Sequence, residues 1–238
     1  MNTGIQTLAM RLRKSFEELR ESMDPKMAAT IGAHPDAQAR DTLARAIYHD
    51  VLVPGVGNKL AYRDFLSRPR GGVHVTLDLN DFKNINDTHG YEAGDNAISN
   101  AGQSFSEASR ANRGKLFRVG GDEFRAHFES PEQAYSFLRD AQQHFGNLQP
   151  AGGTHRLSFS AGLGESPEHA DSALHQAKAA KAAQFGSARS PGAWQPGHGK
   201  HFVHSALAGA AGPVPIEASP DVPPGLKRLT EPMPMPTL

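Results

Sequence analysis

Cysteine is missing from all 238 residues, which excludes a disulfide framework and any cysteine-ligated zinc site. Net charge is missing too: Lys plus Arg and Asp plus Glu both number 25. A general nucleic-acid binder normally carries a basic excess, so that class is set aside. No apolar run is long enough to span a bilayer. The opening stretch "MNTGIQTLAMRLRKSFEELR" becomes charged before the apolar core of a signal peptide can form. These absences lead to the expectation of a soluble, cytoplasmic protein with neither a nucleic-acid nor a membrane partner. The length suits one domain of ordinary size with extensions.

What is present falls into three zones. Residues 1–48 read as helices. Ile5, Leu8, Leu12, Phe16, Leu19 and Met23 recur at steps of three and four, one apolar stripe that Pro25 should limit. The stripe suits either packing on its own domain or a short dimer seam. Residues 49–185 alternate strand and helix signals in the order β-α-β-β-α-β-α, with extra helix after the first strand. "KLFRV" and "FRAHFE" flank a glycine turn as a hairpin. Residues 186–238 are rich in proline and glycine and read as an extended or disordered tail whose removal should leave the domain folded. In that tail His198, His201 and His204 stand three apart, but the glycine and proline around them argue against a helical metal face.

The chemistry concentrates at two places. Asp78 ends an apolar strand, where a carboxylate is costly unless paired, edge-exposed or bound to a metal. Just beyond it "NDFKNIND" can begin a helix whose free amides, with Lys83, suit a phosphate. In "LFRVGGDEFRAHF", Asp122 and Glu123 follow Gly120 and Gly121 on the turn. If the hairpin tip lay beside the strand end, Asp78, Asp122 and Glu123 would offer the hard oxygen ligands that Mg²⁺ takes together with substrate phosphates. The two glycines would let backbone approach a triphosphate. Each motif alone is more often structural than functional.

Together these segments resemble one family. "GGDEF" at 120–124 is the signature of the GGDEF domain of diguanylate cyclases, and "LDLNDFKNINDTHGYEAGD" at 77–95 looks like its strand, phosphate and guanine segment. "VLVPGVGNKLAYRDFL", "SFSAGLG" and "ADSALHQAKAAK" resemble its opening motif, last strand and last helix. The resemblance implies an α+β, palm-like fold: an antiparallel sheet flanked by helices. It implies condensation of two GTP into cyclic di-GMP between the protomers of a homodimer. Two Mg²⁺ per site, with Mn²⁺ as an alternative, would neutralise charge and orient the attack. Carried over by position, Asp78, Glu123 and the Leu79 carbonyl hold metal. Asp122 is a further ligand or helps deprotonate the 3′-hydroxyl. Phe82, Lys83 and Lys178 meet phosphates, and Asn86 and Asp95 read guanine. A carboxylate at 95 accepts from two guanine N–H groups and would face an acceptor on adenine, which favours GTP over ATP.

The sequence also departs from the family pattern. In the opening motif the expected Asp falls on Val51, Thr on Pro54 and Arg on Lys59. Tyr91 replaces a His. The last helix has Lys181 and Ala182 where Gly-Arg is expected, and Lys181 offers itself as a stand-in for the Arg. The product-inhibition motif Arg-x-x-Asp is absent: "ANRG" at 111–114 has no acid, so little feedback inhibition is expected there. These losses keep a second expectation open, a weak or inactive GGDEF domain that binds GTP or acts through contacts. A third is a cyclase making another dinucleotide. An unidentified protein partner for the tail is also expected.

Overall fold

The computed structural model describes Phe16, Arg20 and residues 23–68, 70–148, 156–185, 201–207 and 214–215. Phe16 and Arg20 are helical, the chain leaves helix at 23–24, and Pro25 begins a new one. Helix α1 (Pro25–Gly32) has proline in its first turn, where no backbone donor is lost, and Asp24 caps it by accepting from the Lys26 and Met27 N–H groups. Asp36 caps α2 (Ala37–Tyr48) in the same way, and Asn58 caps α3 (Lys59–Leu66).

The sheet holds β1 (Val73–Leu79), β2 (Lys115–Arg118), β3 (Glu123–Phe128), β4 (Phe159–Gly164), β5 (Phe202–Ser205) and β6 (Val214–Pro215), in the order β2-β3-β1-β4-β5-β6. Its helices are α4 (Phe82–His89), α5 (Tyr91–Ala111), α6 (Pro131–Gly146) and α7 (Pro167–Phe185). The two faces of β1 explain why all seven of its residues are buried. Val73, Val75, Leu77 and Leu79 enter the main core with Ile98, Phe105, Phe137 and Phe145 of α5 and α6. The alternate residues meet α7, where Thr76 donates to Asp171 and Asp78 pairs with Lys178. One face of the strand is therefore core and the other carries polar chemistry.

Two expectations need correction. The sheet is mixed rather than antiparallel, because β5 runs parallel to β4, with Ser160 opposite Phe202 and Leu163 opposite Ser205. That strand comes from the expected tail. His201, Phe202 and Val203 are buried, and the His201 ring lies 4.3 Å from that of Phe159 between centroids. His204 is thus a sheet residue and His201 is buried just before the strand; His198 lies outside the described residues. A helix between parallel neighbours is the ordinary way to make that crossover, and α7 fills the role.

Phe16 and Met23 are buried with Ile31, Ala44, Tyr48, Phe65 and Phe117 in a small core under the first three helices. At these two positions the stripe packs on its own domain. Ile5, Leu8, Leu12 and Leu19 lie outside the described residues. The small core is fastened by Asp64, which accepts from the Tyr48 hydroxyl at 2.6 Å and the Asp24 N–H at 3.1 Å.

Candidate active site

Pairing of β1 with β3 sets the site. Its register puts Asp78 directly opposite Glu123, and the Leu79 N–H donates to the Asp122 carbonyl at 3.3 Å. The hairpin tip therefore does lie beside the strand end. Asp78 is 9% exposed, and burial pushes its carboxyl up against the pull of Lys178, whose Nζ sits 2.7 Å from Oδ2. Asp122 is pushed up to about 6, first by burial and then by the charge of Asp78. Glu123 is exposed at the start of β3.

Such crowding of carboxylates with too few cations is the donor chemistry that suits Mg²⁺. Among the described residues no three His, Asp or Glu side chains already converge tightly enough to hold an ion alone. Mg²⁺ ordinarily binds one or two carboxylates together with phosphates and water. Asp78, Asp122, Glu123 and the Leu79 carbonyl fit that arrangement once Lys178 releases Asp78.

The strand end is anchored from below. The Asn80 side chain donates to Ser158 Oγ at 3.0 Å and accepts from Ser160 Oγ at 2.7 Å, all three groups being buried. Beyond it α4 begins at Phe82, with Lys83 exposed in its first turn. Asn86 of α4 lies against α5 because residue 94 is glycine: a Cβ there would stand 1.9 Å from Asn86 Oδ1. That oxygen is buried without a hydrogen-bond partner, one residue away along α5 from exposed Asp95. Gly94 was not singled out from the sequence, although its place beside Asp95 was the signal.

Neither Gly120 nor Gly121 is among the residues with positive φ. Gly120 instead leaves room for Glu123, whose Oε2 would stand 3.0 Å from an added Cβ. Arg118 holds the turn. Its Nε and Nη2 donate to the Gly121 carbonyl at 3.0 and 2.8 Å, and Nη1 donates to both oxygens of Asp50 at 3.1 and 3.0 Å. Asp50 in turn accepts from the Leu52 and Val53 N–H groups. Asp50, one residue before Val51, thus fastens this segment to the glycine turn through Arg118. The signal was an Asp two residues before a turn N–H, a familiar Asx-turn pattern.

Lys181, the expected stand-in for the missing Arg, is paired with Asp81. Its Nζ is 2.8 Å from Asp81 Oδ2, with side chains 12% and 17% exposed.

A family model described as diguanylate cyclase, GGDEF domain, matches residues 62–184. The chain belongs to the GGDEF family. The diguanylate cyclase DgcS of Shewanella oneidensis is 30% identical over 142 residues, covering 52% of this chain and 48% of DgcS. The chain spans between a fifth and about half of the length of the curated relatives it matches. Among solved structures, the coiled coil and GGDEF domain of DgcB from Caulobacter crescentus, in complex with c-di-GMP, superposes with a TM-score of 0.53. It is 22% identical and covers 60% of this chain and 86% of that one, a likeness of fold. Diguanylate cyclase SiaD from Pseudomonas aeruginosa, in complex with its activator SiaC, gives a TM-score of 0.51 at 25% identity, covering 74% of each chain. The α+β palm-like fold expected from the GGDEF signature is the fold found. No helix among the described residues is long and apolar enough to cross a membrane.

Proposed function

We propose that this GGDEF domain is a diguanylate cyclase that condenses two GTP into cyclic di-GMP with release of pyrophosphate. Each protomer of a homodimer would hold one GTP, in the cytoplasm. The observation that supports this most is the pairing of Asp78 with Glu123, with Asp122 beside them and the start of α4 just beyond. Phe82, Lys83 and Lys178 bind the phosphates, backbone and ammonium groups sharing the charge. Asn86 and Asp95 read guanine across the α4–α5 contact, the Asp95 carboxylate accepting from the N1 and N2 hydrogens. Asp122, beside the Asp78–Glu123 pair, is a further metal ligand or the group that takes the 3′-hydroxyl proton. Held by Asp78, Glu123, Asp122 and the Leu79 carbonyl, two Mg²⁺ ions would neutralise triphosphate charge and orient the attack. Mn²⁺ suits the same oxygen donors.

A second reading, a GTP-binding module with little turnover, is favoured by one observation. Ala182 leaves the last helix without its Arg, and Lys181 is committed elsewhere. SiaD is bound by an activator protein, and a protein partner acting on residues outside the matched domain is proposed here as well.

One experiment separates the readings. Protein with Mg²⁺ and GTP, ATP or both is incubated and the products are resolved by chromatography. Cyclic di-GMP from GTP alone is expected, abolished by Glu123→Ala and by Asp78→Ala, each of which keeps a cooperative melt. Micromolar GTP binding without product supports the second reading, and near-normal turnover in either variant sinks the metal assignment.

A further inference from the structure

Two ion pairs tie α7 to the strand end, and they are not alike. Lys178 pairs with Asp78 and Lys181 with Asp81, so residues three apart on the helix meet residues three apart across the β1–α4 junction. Lys178 is 41% exposed and its partner is an expected metal ligand, so that pair must open when substrate arrives. Lys181 and Asp81 are both largely buried, and neither has a proposed contact with substrate.

Asp81 is an unusual residue in its own right. It sits at φ 56°, in the left-handed region, and it is the N-cap of α4, a position where aspartate ordinarily accepts from first-turn N–H groups. Here its side chain makes no capping bond. Its carboxylate has turned to Lys181 instead, across 100 residues of sequence. The first-turn amides of a helix have no intrahelical partner, and they attract an anion. A capping carboxylate on α4 would occupy the place where the substrate phosphates bind and repel them.

We infer that Lys181 is a positioning residue: it draws the Asp81 carboxylate away from the start of α4, neutralises it, and so keeps that helix end open for a nucleotide triphosphate. The inference rests on the phosphate role proposed above for Phe82 and Lys83. It assigns Lys181 no contact with substrate and distinguishes it from Lys178.

The test uses the full chain with Lys181→Met, Asp81→Gly and the double variant. Glycine keeps the left-handed backbone without a carboxylate. In ligand-free protein, hydrogen exchange of the Lys83 amide, the second of the helix, is read by NMR. Lys181→Met should slow it, as the freed carboxylate swings onto the helix end, and the double variant should return it to the wild-type rate. This readout does not depend on what the nucleotide is. For GTP with Mg²⁺, Lys181→Met should raise the dissociation constant about tenfold, the scale of one charged hydrogen bond, and the double variant should recover most of the loss. Unchanged amide exchange in Lys181→Met overturns the inference. So does a double variant that binds as weakly as the single one, since Lys181 would then touch the phosphates itself. If wild-type protein binds no GTP, the proposed function fails, while the exchange result still decides the role of Lys181.

Discussion

Asp122 shows how a single carboxyl can work against the fold that carries it. Its folded value is raised from 3.8 to about 6, by burial and then by Asp78. A group raised in the folded state contributes its stability below pH 3.8, and that contribution is lost as pH climbs through 6. At pH 7.5 the ionised Asp122 therefore destabilises the protein by on the order of 1–2 kcal/mol after allowance for solvent screening. Asp122→Asn should raise the melting temperature by about 2–8 °C at pH 7.5 without Mg²⁺. The gain should fade to nothing near pH 4, where the wild-type carboxyl is also protonated. Melting curves across that range check it; a gain independent of pH would show that charge is not the cause. At this scale the sequence was only partly legible. Adjacent acids on a glycine turn announced a charged site, but which neighbours would hold them did not follow from spacing. Arg118 reaches Asp50 over 68 positions, and Lys181 reaches Asp81 over 100. Such pairings exist only once the sheet has placed both ends.

Among the elements, the ones written in local pattern were the ones legible in advance. The hairpin around the turn, the buried strand at 73–79 and helices α5 and α6 each carry periodicity or turn chemistry of their own. Strand β5 carries almost none. It is four residues long, follows a stretch of glycine and proline, and owes its place to the β4 edge and the underside of α7. Helix α3 was hidden for a related reason, lying inside a stretch read for its motif rather than its period. Phe202 provides the test of β5. It is 1% exposed, and removing a fully buried phenylalanine side chain costs about 3–5 kcal/mol. Phe202→Ala should lower the melting temperature by roughly 6–20 °C, read by circular dichroism. A shift of only a degree or so would mean that the strand is not seated in the sheet.

On the scale of the whole molecule, the described residues offer one set of carboxylates, and the proposed joining of two nucleotides calls for two such sets face to face. Specific activity should therefore rise with protein concentration over a hundredfold dilution series. Leu12→Glu combined with Leu19→Glu should lower activity at micromolar protein, with partial recovery at high concentration, if those positions join two chains. Flat specific activity together with a silent double variant would leave the meeting of two sites to the catalytic faces alone. Phe16 and Met23 are already spent on the small core, so any seam must be built from the remaining members of the stripe.

The parallel seat of β5 also has a consequence in time. Chains leave the ribosome amino end first, and domains fold as their last necessary segment emerges. The carboxylates, the glycine turn and both lysines of α7 are all made before residue 185, yet β5, one of the strands α7 packs on, comes only at 202–205. A nascent chain of this protein thus carries every group of its site from residue 181 onward, before β5 at 202–205 completes the platform beneath α7. Nucleotide capture should switch on late and abruptly during translation, and chains stalled at 200 and at 215 with equal linkers to the ribosome should differ sharply in protease resistance.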